Sequence, residues 1–256
     1  MDQSLFGQID RTAFVQRLRE DGAAFGLRLP QALSSELVEY ASKHACFADR
    51  QVDCGFHLGA RPGAESKLGK PILVAQYFNA ATQCPAIGLL LQDPLLQWIA
   101  GTYLESVPTF VGANLWWTFP VQALEEDRDR HAHLFHRDVD DFRFFKFFFY
   151  LTDVKAGDGA HVYVVGSHRR PPMLRLGDRW NIRRYSDAEV RECFAPDRIV
   201  EICGAAGTGF AENTLCVHKG LTPIREPRLL LQLQYALFDY GAMHDRRDSS
   251  ALQMIA

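Results

Sequence analysis

A chain of 256 residues with 28 Lys plus Arg against 31 Asp plus Glu carries no strong field, which argues for a small-molecule partner and against nucleic acid. No apolar run reaches the roughly 20 residues needed to span a bilayer, and MDQSLFGQIDR lacks a basic region followed by an apolar core, so a cytoplasmic protein without a membrane span is expected. The length suits one domain over residues 1–256, and 18 Phe, 8 Tyr and 4 Trp suit a barrel filled by rings.

The N-terminal part, residues 1–45, reads as two helices around a short strand. Asp10 caps the first helix, with Phe14, Val15 and Leu18 on one face before the Gly22 break; AAFGLRL follows as a strand. Ser34 or Ser35 is the expected start of the second, with Leu37, Val38 and Tyr40 as its stripe. Residues 47–70 have no periodicity and read as a long loop insertion of the kind that covers binding sites; His57 within it reads as a surface residue. PILVAQYF is a strand, and DPLLQWIAGTYLE a helix capped by Asp93. TFVGANLWWTFP is a strand pair or one long strand, on which Trp116 and Trp117 face opposite ways.

In RFFKFFFYLTD, Phe145, Phe147 and Phe149 share one face, read as packing between sheets, while Lys146 and Tyr150 look toward a cavity, with an exposed sheet surface as the alternative for Lys146. A lysine in so apolar a strand needs water, an anion or a carboxylate beside it. The Gly-Ser-His turn at His168 precedes an insertion from Leu174 to Pro196 with a Ser186–Glu189 capping box. Strands resume with RIVEICG and continue through AENTLCVHKG; RLLLQLQYALF closes the series with Arg228, Gln232 and Gln234 on one face, before a polar, loosely held tail over 241–256. Short strands divided by Gly and Pro point to a mainly β fold with flanking helices and a double-stranded, cupin-like jelly-roll core. Six cysteines without a Cys-X-X-Cys read as reduced packing residues, not a zinc ribbon.

The chemistry concentrates at His136-X-Asp138, whose side chains share a face if the backbone is extended. His218 adds a second imidazole and Arg228 follows it. Two imidazoles and one carboxylate form the facial triad of a non-haem iron(II) site with open positions, and an arginine on a neighbouring strand can hold a carboxylate through paired bonds. His131 and His133 read as cavity-mouth or surface residues, Asp140 as a strand-end carboxylate and His168 as a turn residue.

HRDVDDFRFFKFFFYLTDV, with GDGAHVYVVGSH and ENTLCVHKGLTPIREPRLLLQLQY, resembles the phytanoyl-CoA dioxygenase family of iron(II)- and 2-oxoglutarate-dependent oxygenases over roughly residues 70–240. The resemblance implies a jelly roll in which His136, Asp138 and His218 bind Fe(II) and Arg228 anchors 2-oxoglutarate. It also implies use of O2, release of succinate and CO2, and hydroxylation of an unactivated C–H bond; the presence of Asp138 favours hydroxylation over halogenation. Where some relatives carry a hydroxyl residue two positions after the distal histidine this chain has Gly220, so Lys146 becomes the candidate for a second cosubstrate contact. Arg225 competes with Arg228 but lies in the Pro223–Pro227 loop. A sugar or glycan precursor, an amino-acid derivative and a lipid are the substrate classes left open, and Arg169, Arg170, Arg183 and Arg184 are surface cations that an anionic group would meet. A non-catalytic jelly-roll binding protein and a cupin-like metalloenzyme without 2-oxoglutarate are the rival readings.

Overall fold

The structure is a computed structural model that describes residues 3–169, 183–241 and 245–256. Asp10 caps α1 (Arg11–Asp21) by accepting from the Ala13 N–H, and Phe14, Val15 and Leu18 are its buried stripe. The helix ends at Gly22, whose φ of 85° is left-handed, and an added Cβ there would stand 2.2 Å from Cys216 Sγ. β1 (Ala23–Arg28) leads to α2 (Gln31–Lys43), which begins directly after Pro30 and not at Ser34 or Ser35. Proline fixes an extended entry, so the turn starts one residue later without a hydroxyl cap.

The expected loop over 47–70 is instead ordered. β2 (Cys46–Ala48) and β3 (Gly55–Phe56) form a hairpin, and α3 (Arg61–Leu68) follows it. These elements are too short to show periodicity. β2 is held by pairing with β4 (Val74–Tyr77), and β3 by the chain's last residues, where Gly55 N–H donates to Gln253 and Ile255 N–H to Gly55. The end of the tail, residues 253–256, is therefore anchored, not loose. α4 (Ala80–Gln83) and α5 (Pro85–Gln92) precede α6 (Pro94–Leu104), whose first turn is capped by the Asp93 carboxylate.

β5 (Thr109–Thr118) is one long strand, followed by α7 (Glu125–Arg130), β6 (Phe144–Tyr150) and β7 (His161–Val164). The Ser186–Glu189 capping box opens α8 (Asp187–Cys193) as expected; Arg170, Pro171, Pro172 and the insertion up to residue 182 lie outside the described residues. β8 (Ile199–Ile202) and β9 (Thr208–Glu212) come next, and the expected continuous strand through His218 is broken by a turn in which Cys216 N–H donates to Asn213. β10 (His218–Gly220) and β11 (Arg228–Ala236) complete the chain's strands.

The strands form an eight-stranded antiparallel sheet in the order β1-β9-β6-β11-β5-β4-β2-β3 and a three-stranded sheet, β10-β7-β8. The small sheet packs on one face of the large one through Phe148, Tyr150, Tyr163, Ile202, Phe210 and Leu230, the arrangement of a cupin-like jelly roll. Helices cover the other face. Phe145, Phe147 and Phe149 belong to that helix-side core and not between the sheets: Phe149 stacks on Phe6, and Tyr103 of α6 meets Phe145 edge-on. Trp117 joins them, while Trp116 faces the cavity. All six cysteines are reduced thiols, and Cys46, Cys84 and Cys216 are buried. Among the described residues no helix is long and apolar enough to cross a membrane.

Candidate metal centre

His136 lies on an isolated antiparallel bridge with His218, each donating its backbone N–H to the other's carbonyl at 2.9 Å. Asp138, two residues on, is tied by its N–H to the Thr214 carbonyl at 2.8 Å. A local bridge thus replaces the expected continuous strand, and it brings the three side chains together across 80 residues of sequence. Asp138 Oδ1 is 3.5 Å from His136 Nε2, and Oδ2 is 3.7 Å from His218 Nε2. One ligand atom from each of the three lies within 4.8 Å of the others.

The protonation states fit a metal. His136 Nδ1 is 2.9 Å from the Leu134 carbonyl and His218 Nδ1 is 2.9 Å from the Cys216 carbonyl. A carbonyl only accepts, so each Nδ1 carries the hydrogen and each Nε2 keeps its lone pair for the centre of the triad. Burial pushes both imidazoles below their usual pKa, which keeps them neutral and able to ligate. Burial alone would raise the Asp138 pKa, but the Lys146 ammonium outweighs it and holds the carboxylate ionised.

These groups line a cavity of about 240 Å³ between the sheets, several times the roughly 30 Å³ of a water molecule and so large enough for a small organic ligand. Trp116, Phe148 and Leu230 form its apolar wall. Arg228 opens β11 and is buried in the same cavity; its guanidinium donates to the Gly159 carbonyl and to Thr118 Oγ1 at 3.2 Å, and its Nε has no partner among the described residues. Gly220 faces it, with room for a Cβ 3.5 Å from Arg228 Nη2, so the hydroxyl beside the arginine is supplied by Thr118. Arg225 is spent elsewhere, on Asp158 Oδ1 at 3.1 Å and the Ala156 carbonyl.

Lys146 does reach the cavity, but its ammonium is 2.6 Å from Asp138 Oδ2 and 3.5 Å from Asp140 Oδ2. Of the water, anion or carboxylate that its strand position called for, the structure supplies the carboxylate of the candidate triad. Asp140 is consequently part of the site, and Gln234 also donates to it at 3.0 Å. His131 and His133 are buried cavity residues, not surface ones: His131 Nε2 meets Asp49 Oδ1 at 3.0 Å, and His133 Nδ1 meets Thr222 Oγ1 at 2.8 Å. Asp49, Asp127 and His131 also converge, yet Lys70 Nζ sits 2.5 Å from Asp49 and 3.3 Å from Asp127, so this cluster is an ion-paired clamp. His168 lies outside the cavity, and its ring ties its turn to two distant segments, bonding the Arg19 carbonyl through Nε2 and Cys216 Sγ through Nδ1.

Two residues escape a reading of the sequence. His161 of β7 and Glu212 of β9 are fully enclosed beside His218, 2.6 Å apart though not along a hydrogen-bonding direction. Burial pulls His161 down to about 3 and pushes Glu212 up to about 8, so a neutral pair backs the distal ligand. The signal was faint: a histidine and a glutamate on otherwise apolar short strands.

No protein-family model and no curated protein matches the chain. Solved structures do. EvdO2 from Micromonospora carbonacea var. aurantiaca, complexed with 2-oxoglutarate, aligns with a TM-score of 0.61 at 16% identity over 98% of this chain and 99% of its own. AviO1 from Streptomyces viridochromogenes Tue57 aligns with a TM-score of 0.57 at 19% identity over 92% and 98%. The non-heme alpha ketoglutarate dependent epimerase SnoN from nogalamycin biosynthesis, solved with Fe3+, alpha ketoglutarate and nogalamycin RO, gives 0.55 at 17% over 88% and 82%. The chain therefore has the fold of non-haem 2-oxoglutarate-dependent enzymes.

Proposed function

We propose that the chain is an iron(II)- and 2-oxoglutarate-dependent dioxygenase of the phytanoyl-CoA dioxygenase type that hydroxylates a C–H bond of a small or medium-sized metabolite. The observation that carries the reading is one cavity holding both a triad with its Nε2 lone pairs free and a buried arginine with spare donors. Neighbouring structures of the same fold hold 2-oxoglutarate and iron, which supports the same pair here.

His136, Asp138 and His218 would hold the iron. When bound, iron(II) with 2-oxoglutarate supplies an oxidant from O2, one oxygen atom ending in succinate beside released CO2 and the other in the hydroxyl of the product. The chain's residues set the conditions. Arg228 takes the distal carboxylate of the cosubstrate through paired N–H bonds, and the Gly159 carbonyl and Thr118 fix its plane. Lys146 holds Asp138 Oδ2, which leaves Oδ1 toward His136. Trp116, Phe148 and Leu230 exclude water from the reacting carbon.

Anaerobic addition of iron(II) and then 2-oxoglutarate is expected to produce a visible charge-transfer band that Asp138→Ala and His218→Ala abolish. No band in the intact protein overturns the reading and favours a binding protein or a metalloenzyme without 2-oxoglutarate. Because the fold also carries an epimerase, hydroxylation is checked separately, as a 2-oxoglutarate-dependent mass gain of one oxygen in metabolite extracts.

A further inference from the structure

We infer that Arg50 binds an anionic group, a carboxylate or a phosphate, on the substrate, so that the cavity takes an acidic metabolite. This rests on the reading above, which assigns Arg228 to the cosubstrate.

Charge balance is the first ground. Arg50, Lys146 and Arg228 line the cavity against Asp138 and Asp140, and Lys146 already serves both carboxylates. The cations outnumber the carboxylates by one. A divalent ion and a doubly charged 2-oxoglutarate cancel each other, so one positive charge is left over when both are bound. Arg50 is the cation without an assignment: among the described residues its guanidinium makes no hydrogen bond and no ion pair. Arg228 is buried, whereas Arg50 is exposed on the solvent side of the same cavity. Its charge nonetheless feels the Asp138 carboxylate across the cavity.

Backbone geometry is the second ground. Asp49 and Arg50 both have left-handed φ, 52° and 61°, in a turn closed by Gln51 N–H donating to the Ala48 carbonyl at 2.9 Å. Glycine would satisfy the second position without the steric cost that an L side chain carries there. The strained pose is imposed from outside. Asp49 is buried, its N–H bonds the Val74 carbonyl, and its carboxylate is gripped by Lys70 and His131, with Lys70 also on Asp127 beside it. A clamp drawn from three segments thus fixes the hairpin turn that carries an unpartnered arginine over the cavity.

Isothermal titration of the nickel- and 2-oxoglutarate-loaded protein with inorganic phosphate and, separately, with acetate tests this, the two arms separating phosphate from carboxylate chemistry. At least one probe is expected to saturate the wild type, to bind about tenfold more weakly to Arg50→Gln, and to recover partly in Arg50→Lys. Arg50→Gly is expected to lose the probe while raising Tm, because it relieves the left-handed strain; a structural arginine would lower Tm instead. Equal probe affinity in wild type and Arg50→Gln, or no saturable binding of either probe, overturns the inference alone. So does a loss of 2-oxoglutarate affinity in Arg50→Gln, which would place Arg50 on the cosubstrate. Failure of 2-oxoglutarate to bind the nickel-loaded wild type removes the parent reading, and the inference with it.

Discussion

Replacing Lys146 with methionine isolates the coupling between the triad and its counter-charge. The ammonium stands 2.6 Å from Asp138 and 3.5 Å from Asp140, on a side chain only 8% exposed. Removing one partner of a buried ion pair costs about 3–5 kcal/mol because the other charge stays behind unpaired. Asp138 and Asp140 keep 20% and 27% of their side-chain exposure and Gln234 still donates to Asp140, so the lower end, about 3 kcal/mol, applies. At about 2–4 °C per kcal/mol for chains of this size, the metal-free variant should melt about 6–12 °C below wild type. A divalent ion supplies the missing positive charge, and it no longer shares Asp138 with a like-charged neighbour. Nickel should therefore raise the Tm of Lys146→Met more than that of wild type in parallel thermal scans. A metal-free drop under about 2 °C, or equal nickel shifts in the two proteins, would refute the coupling.

Arg228→Gln should weaken 2-oxoglutarate binding about 30- to 1,000-fold, the loss of about 2–4 kcal/mol from a paired charge-assisted contact, whereas Arg225→Gln should change it less than about twofold; anaerobic titration of the charge-transfer band reads both. Burial raises the Asp49 pKa, but His131 and Lys70 outweigh it and hold it below the usual range. Its contribution is then complete above the unfolded value of about 3.9 and lost as pH falls through the lowered folded value. The Tm gap between wild type and Asp49→Asn should accordingly stay level from about pH 5 to 8 and close in stronger acid; a gap that widens in acid contradicts the clamp. Gly209→Ala places a Cβ 2.6 Å from the Phe149 ring, and overpacking of this kind should cost about 1–3 kcal/mol by denaturant melting without changing nickel binding.

Much of the site was legible because its chemistry is carried by residue types that few other roles require. His136, Asp138, His218 and Arg228 do meet in one cavity, and the alternation along β6 correctly sent Lys146 inward. The alternation could not name the partner: Asp138 is only eight residues away, but it reaches Lys146 through an irregular stretch with no period to extrapolate. The sequence left His131 between the cavity and the surface for the same reason, since its burial depends on Asp49, 82 residues earlier. Strong local signals held, as with the Asp93 cap and the Ser186–Glu189 box. Segments such as β2 and β3 are shorter than four residues, and long-range pairing, not their own pattern, decides their shape.

The carbonyls of Leu134 and Cys216 have a consequence for how such a protein changes over time. Each fastens a metal-facing ring from two residues back along its own chain. Because the fastening is done by main chain, it does not depend on the chemistry of the Leu134 or Cys216 side chain, although packing around the buried Cys216 limits its size. The candidate triad is thereby insulated from the rest of the cavity, so the cavity wall and the Arg50 turn can be rebuilt while the geometry of His136 and His218 stays as it is.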